Sequence, residues 1–281
     1  MRVHRFGSTG RDVSVIGQGT WYIERGPRAA AVAALQQGMD RGMTHIDTAE
    51  MYGSGEAEEV VAEAIKGRRD SCFIVSKVLP QNASRGGVIK ACDASLARLK
   101  TAYLDCYLLH WPGSHPLEGT IEGFERLKKE GKIRAWGVSN FDVDELDEAL
   151  GIAGDHAIAC NQVLYHLGER AIEHAVLPWC EKHAVALVGY SPFGHSDFPG
   201  ANTPGGFVLA DVAKAHGATP RQAALAFLTR RPALFTIPKA AKADHVADNA
   251  KAGDLVLTQA EIAAIEYAFP LGRKGRGLPM L

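Results

Sequence analysis

The chain has 281 residues, of which 46% are hydrophobic, and its 31 basic and 32 acidic side chains leave a formal net charge of −1. This balance predicts no basic surface for nucleic acid or an anionic membrane, so neither is expected as a partner. No apolar run is long enough for a transmembrane helix or a signal peptide. The five cysteines are odd in number and contain no CxxC pair, which is typical of reduced core thiols in a cytoplasmic protein.

Short apolar runs alternate with longer amphipathic segments along the chain. Residues 1–14 come first and contain two strand-like runs around Ser8-Thr9-Gly10-Arg11, which predict a hairpin. Eight later runs are short and mostly apolar, as expected of strands that are buried on both faces. They occupy residues 15–19, 44–47, 72–76, 103–109, 133–138, 158–162, 184–189 and 234–237.

Helical segments separate these runs, and two of them begin with recognisable caps. Asp142 is followed three residues later by Glu145, which is the pattern of a capping box. Thr219 precedes Pro220, a favourable residue for the first turn of a helix. Residues 193–206 predict a long loop after the seventh strand. The predicted helices cover residues 28–41, 55–66, 88–99, 121–129, 143–150, 171–183, 220–230 and 243–252, with a last one at 259–268.

This alternation of strands and helices predicts parallel βαβ units. Eight such units fit a closed (β/α)8 TIM barrel that forms one domain over residues 1–281. A doubly wound open sheet would need a GxGxxG turn after its first strand. Gly17-Gln18-Gly19 supplies only GxG, and Tyr22 stands where the third glycine is required.

Four proton-handling side chains follow three successive predicted strands. Asp47 ends the second strand, Tyr52 lies five residues beyond it, Lys77 follows the third and His110 the fourth. Each residue type alone is commonly a cap, a packing residue or a solvated side chain. Together they are expected at one mouth of the barrel, because the carboxyl ends of all eight strands meet there.

This set is suited to proton transfer onto a developing alkoxide. A tyrosine has an ordinary pKa of about 10, and a neighbouring lysine would lower that pKa towards the working pH. Asp47 would hold Lys77 by a charge-assisted hydrogen bond, and His110 could donate to a carbonyl oxygen. None of these groups can supply a hydride, so carbonyl reduction at this site requires a cofactor.

The remaining strand ends predict where that cofactor lies. Amide side chains suit a nicotinamide carboxamide, an aromatic side chain suits ring stacking, and a lysine after the eighth strand suits a phosphate. The residues concerned are Ser139, Asn140, Gln162, Tyr190, Ser191 and Lys239.

In order and spacing, several stretches resemble the aldo-keto reductase superfamily over essentially the whole chain. They are 19–21 (GTW), 45–53 (HIDTAEMYG), 76–78 (SKV), 108–112 (LLHWP), 137–141 (GVSNF), 161–162 (NQ), 190–192 (YSP) and 237–239 (IPK). The resemblance implies a barrel closed at its base by the N-terminal hairpin. It also implies reduction of aldehydes and ketones by NADPH, which is bound extended without a Rossmann domain. The catalytic residues of the family fall on Asp47, Tyr52, Lys77 and His110.

The resemblance also implies a set of binding residues. Residues 191–206 correspond to the loop that folds over the pyrophosphate, and Trp21 and Trp111 join Tyr52 and His110 as walls of the substrate pocket. The implied cofactor contacts are Thr20, Asp47, Ser139, Asn140, Gln162, Tyr190, Ser191, Pro192, Lys239, His245 and Asn249.

Two positions depart from the common pattern around the 2′-phosphate of NADPH. Ala240 stands where many members have serine, and His245 stands where many have arginine. A hydroxyl donor is lost and a permanent charge becomes a titratable one, so use of NADH is also possible. In its Pro-Lys-Ala segment the chain is most similar to bacterial reductases of small carbonyls such as methylglyoxal. A monomer that takes a small-molecule carbonyl substrate is expected.

Two other functions fit part of the sequence pattern. The superfamily includes non-catalytic NADP(H)-binding regulatory subunits with the same fold, but all four catalytic positions are intact here. A metal-dependent barrel hydrolase would need convergent histidine and carboxylate ligands, often with a His-x-His pair. None of the 11 histidines forms such a pair, so no metal is expected.

Overall fold

The structure is a computed structural model that describes residues 1–273, 275 and 277–281, so Lys274 and Arg276 of the basic tail lie outside the described residues. The strands are β1 (Val3–Arg5), β2 (Asp12–Ser14), β3 (Gln18–Gly19), β4 (His45–Asp47), β5 (Phe73–Val78), β6 (Leu104–Leu109), β7 (Ile133–Ser139), β8 (Ile158–Leu164), β9 (Ala186–Tyr190) and β10 (Leu234–Thr236). The helices are α1 (Arg28–Asp40), α2 (Glu56–Ala64), α3 (Arg85–Leu99), α4 (Leu117–Lys129), α5 (Val143–Ala153), α6 (Val176–Lys182), α7 (Pro204–Ala215), α8 (Pro220–Leu228), α9 (Ala243–Ala252) and α10 (Gln259–Ala268).

Strands β3 to β10 form one parallel sheet in which each strand pairs with its neighbour in sequence. Parallel bridges from Ile16 to Thr236 and from Gly19 to Lys239 join the two ends of this sheet. Gly19 permits the close approach at this seam, because a Cβ there would lie 2.5 Å from the carbonyl oxygen of Ile237. The predicted closed (β/α)8 barrel is therefore confirmed.

The N-terminal hairpin covers the base of the barrel. Strands β1 and β2 pair antiparallel, with Val3 opposite Ser14. Beyond β1, the fully buried ring of Phe6 lies 4.7 Å from the ring of Phe73 and 5.0 Å from that of Phe235, measured between centroids. Phe73 begins β5, so the aromatic side chain lies at the amino-terminal ends of the strands. The hairpin thus closes the base of the barrel, as the resemblance implied.

All nine predicted helical segments contain helix, and the two predicted caps form capping boxes at Asp142 and Thr219. One further helix was missed, because α7 begins inside the segment 193–206 that was predicted to be a loop. The side chain of Thr203 caps this helix, and Pro204 occupies its first turn. This is the same Thr-Pro start as in α8, but two glycines follow it. Their low helix propensity hid the signal.

The five cysteines are buried as free thiols, and burial raises the pKa of Cys92 to about 12. Apolar side chains fill the barrel interior and the layer between the strands and the helices. Over the described part of the chain, no helix is both long enough and apolar enough to cross a membrane.

His45 is a buried side chain that makes the stability of the barrel depend on pH. Its ring is fully buried between Phe6 and Phe73, and neither ring nitrogen has a hydrogen-bond partner among the described residues. Burial, assisted by the positive charge of Lys77, lowers the pKa of His45 to about 3. The unfolded chain would bind a proton near pH 6.5, whereas the folded chain does not bind it until about pH 3.

We therefore expect the free energy of unfolding to fall as the pH drops below about 6.5. His45 alone should contribute up to about 1.4 kcal/mol per pH unit, and His45→Leu should remove that part of the slope. Urea unfolding between pH 7.5 and 5 measures it, with the exposed His156→Asn as the control. An unchanged slope in His45→Leu would contradict the expectation.

Candidate active site

A cleft opens at the carboxyl ends of the barrel strands. Gly19, Met51, Ile237 and Leu281 also line it. None of them was assigned to the site from the sequence, although the first three lie within the motif stretches 19–21, 45–53 and 237–239. Most of the residues expected from the sequence lie in its walls, namely Thr20, Trp21, Asp47, Tyr52, His110, Trp111, Ser139, Asn140, Gln162, Tyr190, Ser191, Pro192 and Lys239.

Three residues named from the sequence do not line this cleft. Lys77 is completely buried behind its wall. His245 lines a second groove, which lies between the loop after β9 and the start of α9. Asn249 is 4% exposed within α9 and lines neither depression.

Lys77 is the centre of a buried hydrogen-bonded cluster. Its ammonium donates to Oδ1 of Asp47 at 2.5 Å, to the carbonyl oxygen of Thr48 at 2.9 Å and to the hydroxyl oxygen of Tyr52 at 3.1 Å. The second carboxylate oxygen of Asp47 accepts a hydrogen bond from Nε2 of Gln162 at 2.7 Å. All three ammonium hydrogens and both carboxylate oxygens are therefore used, as buried charges require.

The charges of this cluster favour an ion pair beside a neutral phenol. Burial alone would lower the pKa of Lys77, but the Asp47 carboxylate and Tyr52 outweigh it and raise that pKa above its usual value. For Tyr52, burial raises the pKa more than Lys77 lowers it. Lys77 thus lowers the pKa of the phenol as expected, but burial more than offsets this effect and leaves the pKa of Tyr52 above its ordinary value. Tyr52 is held protonated and can donate its proton.

His110 lies beside Tyr52, with 5.8 Å between the ring centroids and 7% of its surface exposed. Burial, followed by the charge of Lys77, lowers the pKa of His110 to about 2, so its imidazole is neutral. The amide of Asn140 donates to the backbone carbonyl of His110 at 3.2 Å. His110 is therefore available as a neutral hydrogen-bond donor or acceptor.

A left-handed turn places Tyr52 over the cleft. Gly53, Ser54 and Gly55 have φ angles of 56°, 54° and 98°. Residues other than glycine rarely adopt these φ angles, and a Cβ on Gly53 would also lie 2.6 Å from the side chain of Glu24. The glycines after Tyr52 thus allow the chain to reverse between β4 and α2.

The opposite wall is made of side chains that fix one another. The Tyr190 hydroxyl donates to Oδ1 of Asn140 at 2.9 Å, and Ser139 donates to the carbonyl oxygen of Gln162 at 2.8 Å. Burial raises the pKa of Tyr190 to about 12, so its ring stays neutral. The wall presents a flat aromatic ring next to amide and hydroxyl groups.

Two further segments approach the cleft from outside the barrel. The loop after β9 brings the ring of His195 to 6.5 Å from that of Trp21, between centroids. Leu281, in the C-terminal tail, also lines the cleft. Among the described residues, no group of three or more His, Cys, Asp and Glu side chains could hold a metal ion.

Comparison with known proteins identifies the family. The model of the aldo/keto reductase family matches residues 15–268. Methylglyoxal reductase YeaE of Escherichia coli K12 is 43% identical over 274 residues, which cover 96% of each chain. An aldo/keto reductase of Klebsiella pneumoniae, solved in complex with NADP and acetate, is 44% identical, with a TM-score of 0.92 over 99% of both chains. Since the family model and a relative of matching length both cover nearly the whole sequence, this chain belongs to the aldo/keto reductase family of oxidoreductases.

Proposed function

We propose that this oxidoreductase uses NADPH to reduce small aldehydes, ketones and dicarbonyls to alcohols. The observation that supports it is the buried Asp47–Lys77–Tyr52 cluster with His110 beside it in one cleft. The relatives agree in kind: one is named a methylglyoxal reductase, and a Klebsiella protein of 44% identity was solved with NADPH.

The residues of the cleft fit a nicotinamide cofactor. Tyr190 offers a flat ring for stacking, Ser139 and Asn140 offer polar groups to a carboxamide, and Lys239 offers a positive charge to phosphate. We assign these residues, with Thr20, Gln162, Ser191 and Pro192, to cofactor binding. NADPH, when bound there, supplies the hydride that no protein side chain can provide.

The side chains handle the proton and the developing charge. As hydride reaches the carbonyl carbon, negative charge grows on the oxygen, and Tyr52 transfers its phenolic proton to that oxygen. Lys77 stabilises the phenolate that remains, because its ammonium already donates to the Tyr52 oxygen at 3.1 Å. Asp47 positions Lys77, and neutral His110, protonated on the nitrogen facing the cleft, donates a hydrogen bond to the same oxygen.

Oxidation of NADPH in the presence of methylglyoxal or a simple aromatic aldehyde tests this function. Carbonyl-dependent consumption with formation of the alcohol supports it. Binding of NADPH without turnover of any carbonyl would instead favour a non-catalytic regulatory subunit, although such a subunit would not need the intact proton-transfer cluster.

We further propose that residues 1–281 act as one domain and as a cytoplasmic monomer.

The walls of the cleft predict broad substrate use. Trp21 and Trp111 line the cleft together with Tyr52. Among the described residues of the C-terminal tail, Leu281 lines it. One methylene in such a pocket is worth only about 1–3 kcal/mol, so several unrelated small aldehydes should have kcat/KM values within a few decades.

Removal of residues 271–281 should change KM more than kcat, since Leu281 contacts the cleft while the proton-transfer cluster lies within the barrel. Steady-state kinetics with a panel of carbonyls measures both quantities. High selectivity for one carbonyl in the full-length chain, lost on truncation, would show that the tail closes the pocket instead.

A further inference from the structure

A second groove is lined by chain segments that continue from those lining the cleft. Ser191 and Pro192 line the cleft, and the loop continues to Phe198 in the groove. Likewise Lys239 lines the cleft, and the chain continues to His245 in the groove. A dinucleotide whose nicotinamide lies in the cleft would therefore extend its adenosine end into this groove.

Arg221, in the first turn of α8, lines the groove and stacks on the loop. Its Cζ lies 4.6 Å from the ring centroid of Phe193 and 4.7 Å from that of Phe198. The two rings meet edge to face with centroids 5.6 Å apart, so the guanidinium contacts two differently oriented aromatic rings. Cation–π contacts of this kind do not use the N–H groups, and no hydrogen bond or ion pair from Arg221 to the described residues is found, so its N–H groups are available to a ligand.

The other charged groups of the groove are already engaged or titratable. Asp248 accepts hydrogen bonds from Thr219 and Gln222 at 3.1 and 2.7 Å. Asp244 accepts the backbone N–H of His245 at 2.9 Å. The contacts of Arg221 in the described part of the chain are with aromatic rings, so its charge is the permanent positive charge in this lining.

We propose that Arg221 is the main specificity residue for the 2′-phosphate of NADPH. It supplies, from the first turn of α8, the permanent charge that His245 lacks. A guanidinium can bind a phosphate bidentately, and an arginine beside the adenosine ribose is a recurrent way to accept a 2′-phosphate. The aromatic pair holds the side chain in place before the cofactor arrives, which reduces the entropy lost on binding. This inference rests on the proposed placement of the cofactor.

The test measures binding rather than turnover, so its outcome does not depend on the proposed carbonyl reduction. Calorimetric titration gives Kd for NADP+ and for NAD+ at about pH 8.5, where histidine side chains are largely neutral. Arg221→Met removes the charge, Arg221→Lys keeps it without the planar fork, and His245→Gln removes the imidazole. Lys214→Met, on the exposed face of α7, controls for net charge.

Arg221→Met should weaken NADP+ binding by roughly 10- to 100-fold, as expected when a hydrogen bond to a charged group is lost. Its effect on NAD+ should stay below about threefold, the scale of an ordinary surface substitution. Arg221→Lys should bind NADP+ with an affinity between those of the wild-type protein and Arg221→Met. His245→Gln should have little effect on NADP+ affinity at this pH.

Three results would overturn the proposal. Equal weakening of both cofactors would mean that Arg221 acts only by holding the loop. A larger NADP+-specific loss in His245→Gln would assign the phosphate to His245. Unchanged NADP+ affinity in Arg221→Met would remove Arg221 from the phosphate site.

Discussion

Tyr52→Phe should lower kcat for carbonyl reduction by ~10²–10⁴-fold, the usual contribution of a general acid. Tyr52 is the phenol in contact with the Lys77 ammonium, and phenylalanine fills the same space beside His110 without a proton to give. The affinity for NADP+ should be nearly unchanged, because the proposed cofactor wall lies on other strands. Steady-state kinetics and calorimetric titration measure the two quantities separately.

A second tyrosine of the cleft provides the matched control. Tyr190→Phe also removes one hydroxyl from the lining, but that hydroxyl contacts Asn140 rather than Lys77. It should affect cofactor binding more than proton transfer. If Tyr52→Phe keeps wild-type turnover, or if Tyr190→Phe lowers kcat as severely, Tyr52 is not the proton donor.

Lys77→Met should combine a severe loss of turnover with a loss of stability. Asp47 is 1% exposed and would keep a buried negative charge without its partner, which typically costs ~3–5 kcal/mol in the free energy of unfolding. Tyr52 would lose the charge that stabilises its phenolate, so kcat should fall as well. Chemical denaturation and steady-state kinetics measure the two effects.

The double variant Asp47→Asn/Lys77→Met separates stability from chemistry. An asparagine at position 47 carries no charge and keeps an oxygen that can accept from Gln162, as Asp47 does at 2.7 Å. The double variant should therefore recover much of the lost stability but none of the activity. Recovery of both would mean that Lys77 has only a structural role, and recovery of neither would mean that the buried charge is not the cause of the instability.

Local signals in the sequence were sufficient for most of the fold. Short, mostly apolar runs located the eight barrel strands, and explicit caps located the starts of α5 and α8. These features depend on residues that are neighbours in the chain, so no tertiary information was needed. Helix α7 was not predicted, although Thr203 and Pro204 are a favourable N-cap and first-turn residue for a helix. Gly205 and Gly206 follow because a Cβ at either would collide, at 2.4 Å with Phe269 and at 2.0 Å with the carbonyl of Gly200.

The sequence also predicted which residues form the site, since the carboxyl ends of the parallel strands must meet at one mouth of the barrel. The sequence did not predict the electrostatics of the site. The sequence places Lys77 directly after the predicted third strand, but only the folded barrel reveals that it is wholly buried and that burial outweighs its effect on the Tyr52 phenol. Desolvation depends on everything packed around a group, which no spacing of residues records.

The sequence by itself therefore determined the family, the closed barrel and the four side chains proposed for proton transfer. The tertiary structure decided which distant segments complete the walls. Leu281 reaches the cleft from the far end of the chain, and Arg221 of α8 packs against Phe193 and Phe198 of the loop after β9. Such contacts arise between elements that are remote in sequence, and their geometry depends on how the packed helices and loops converge rather than on any local pattern.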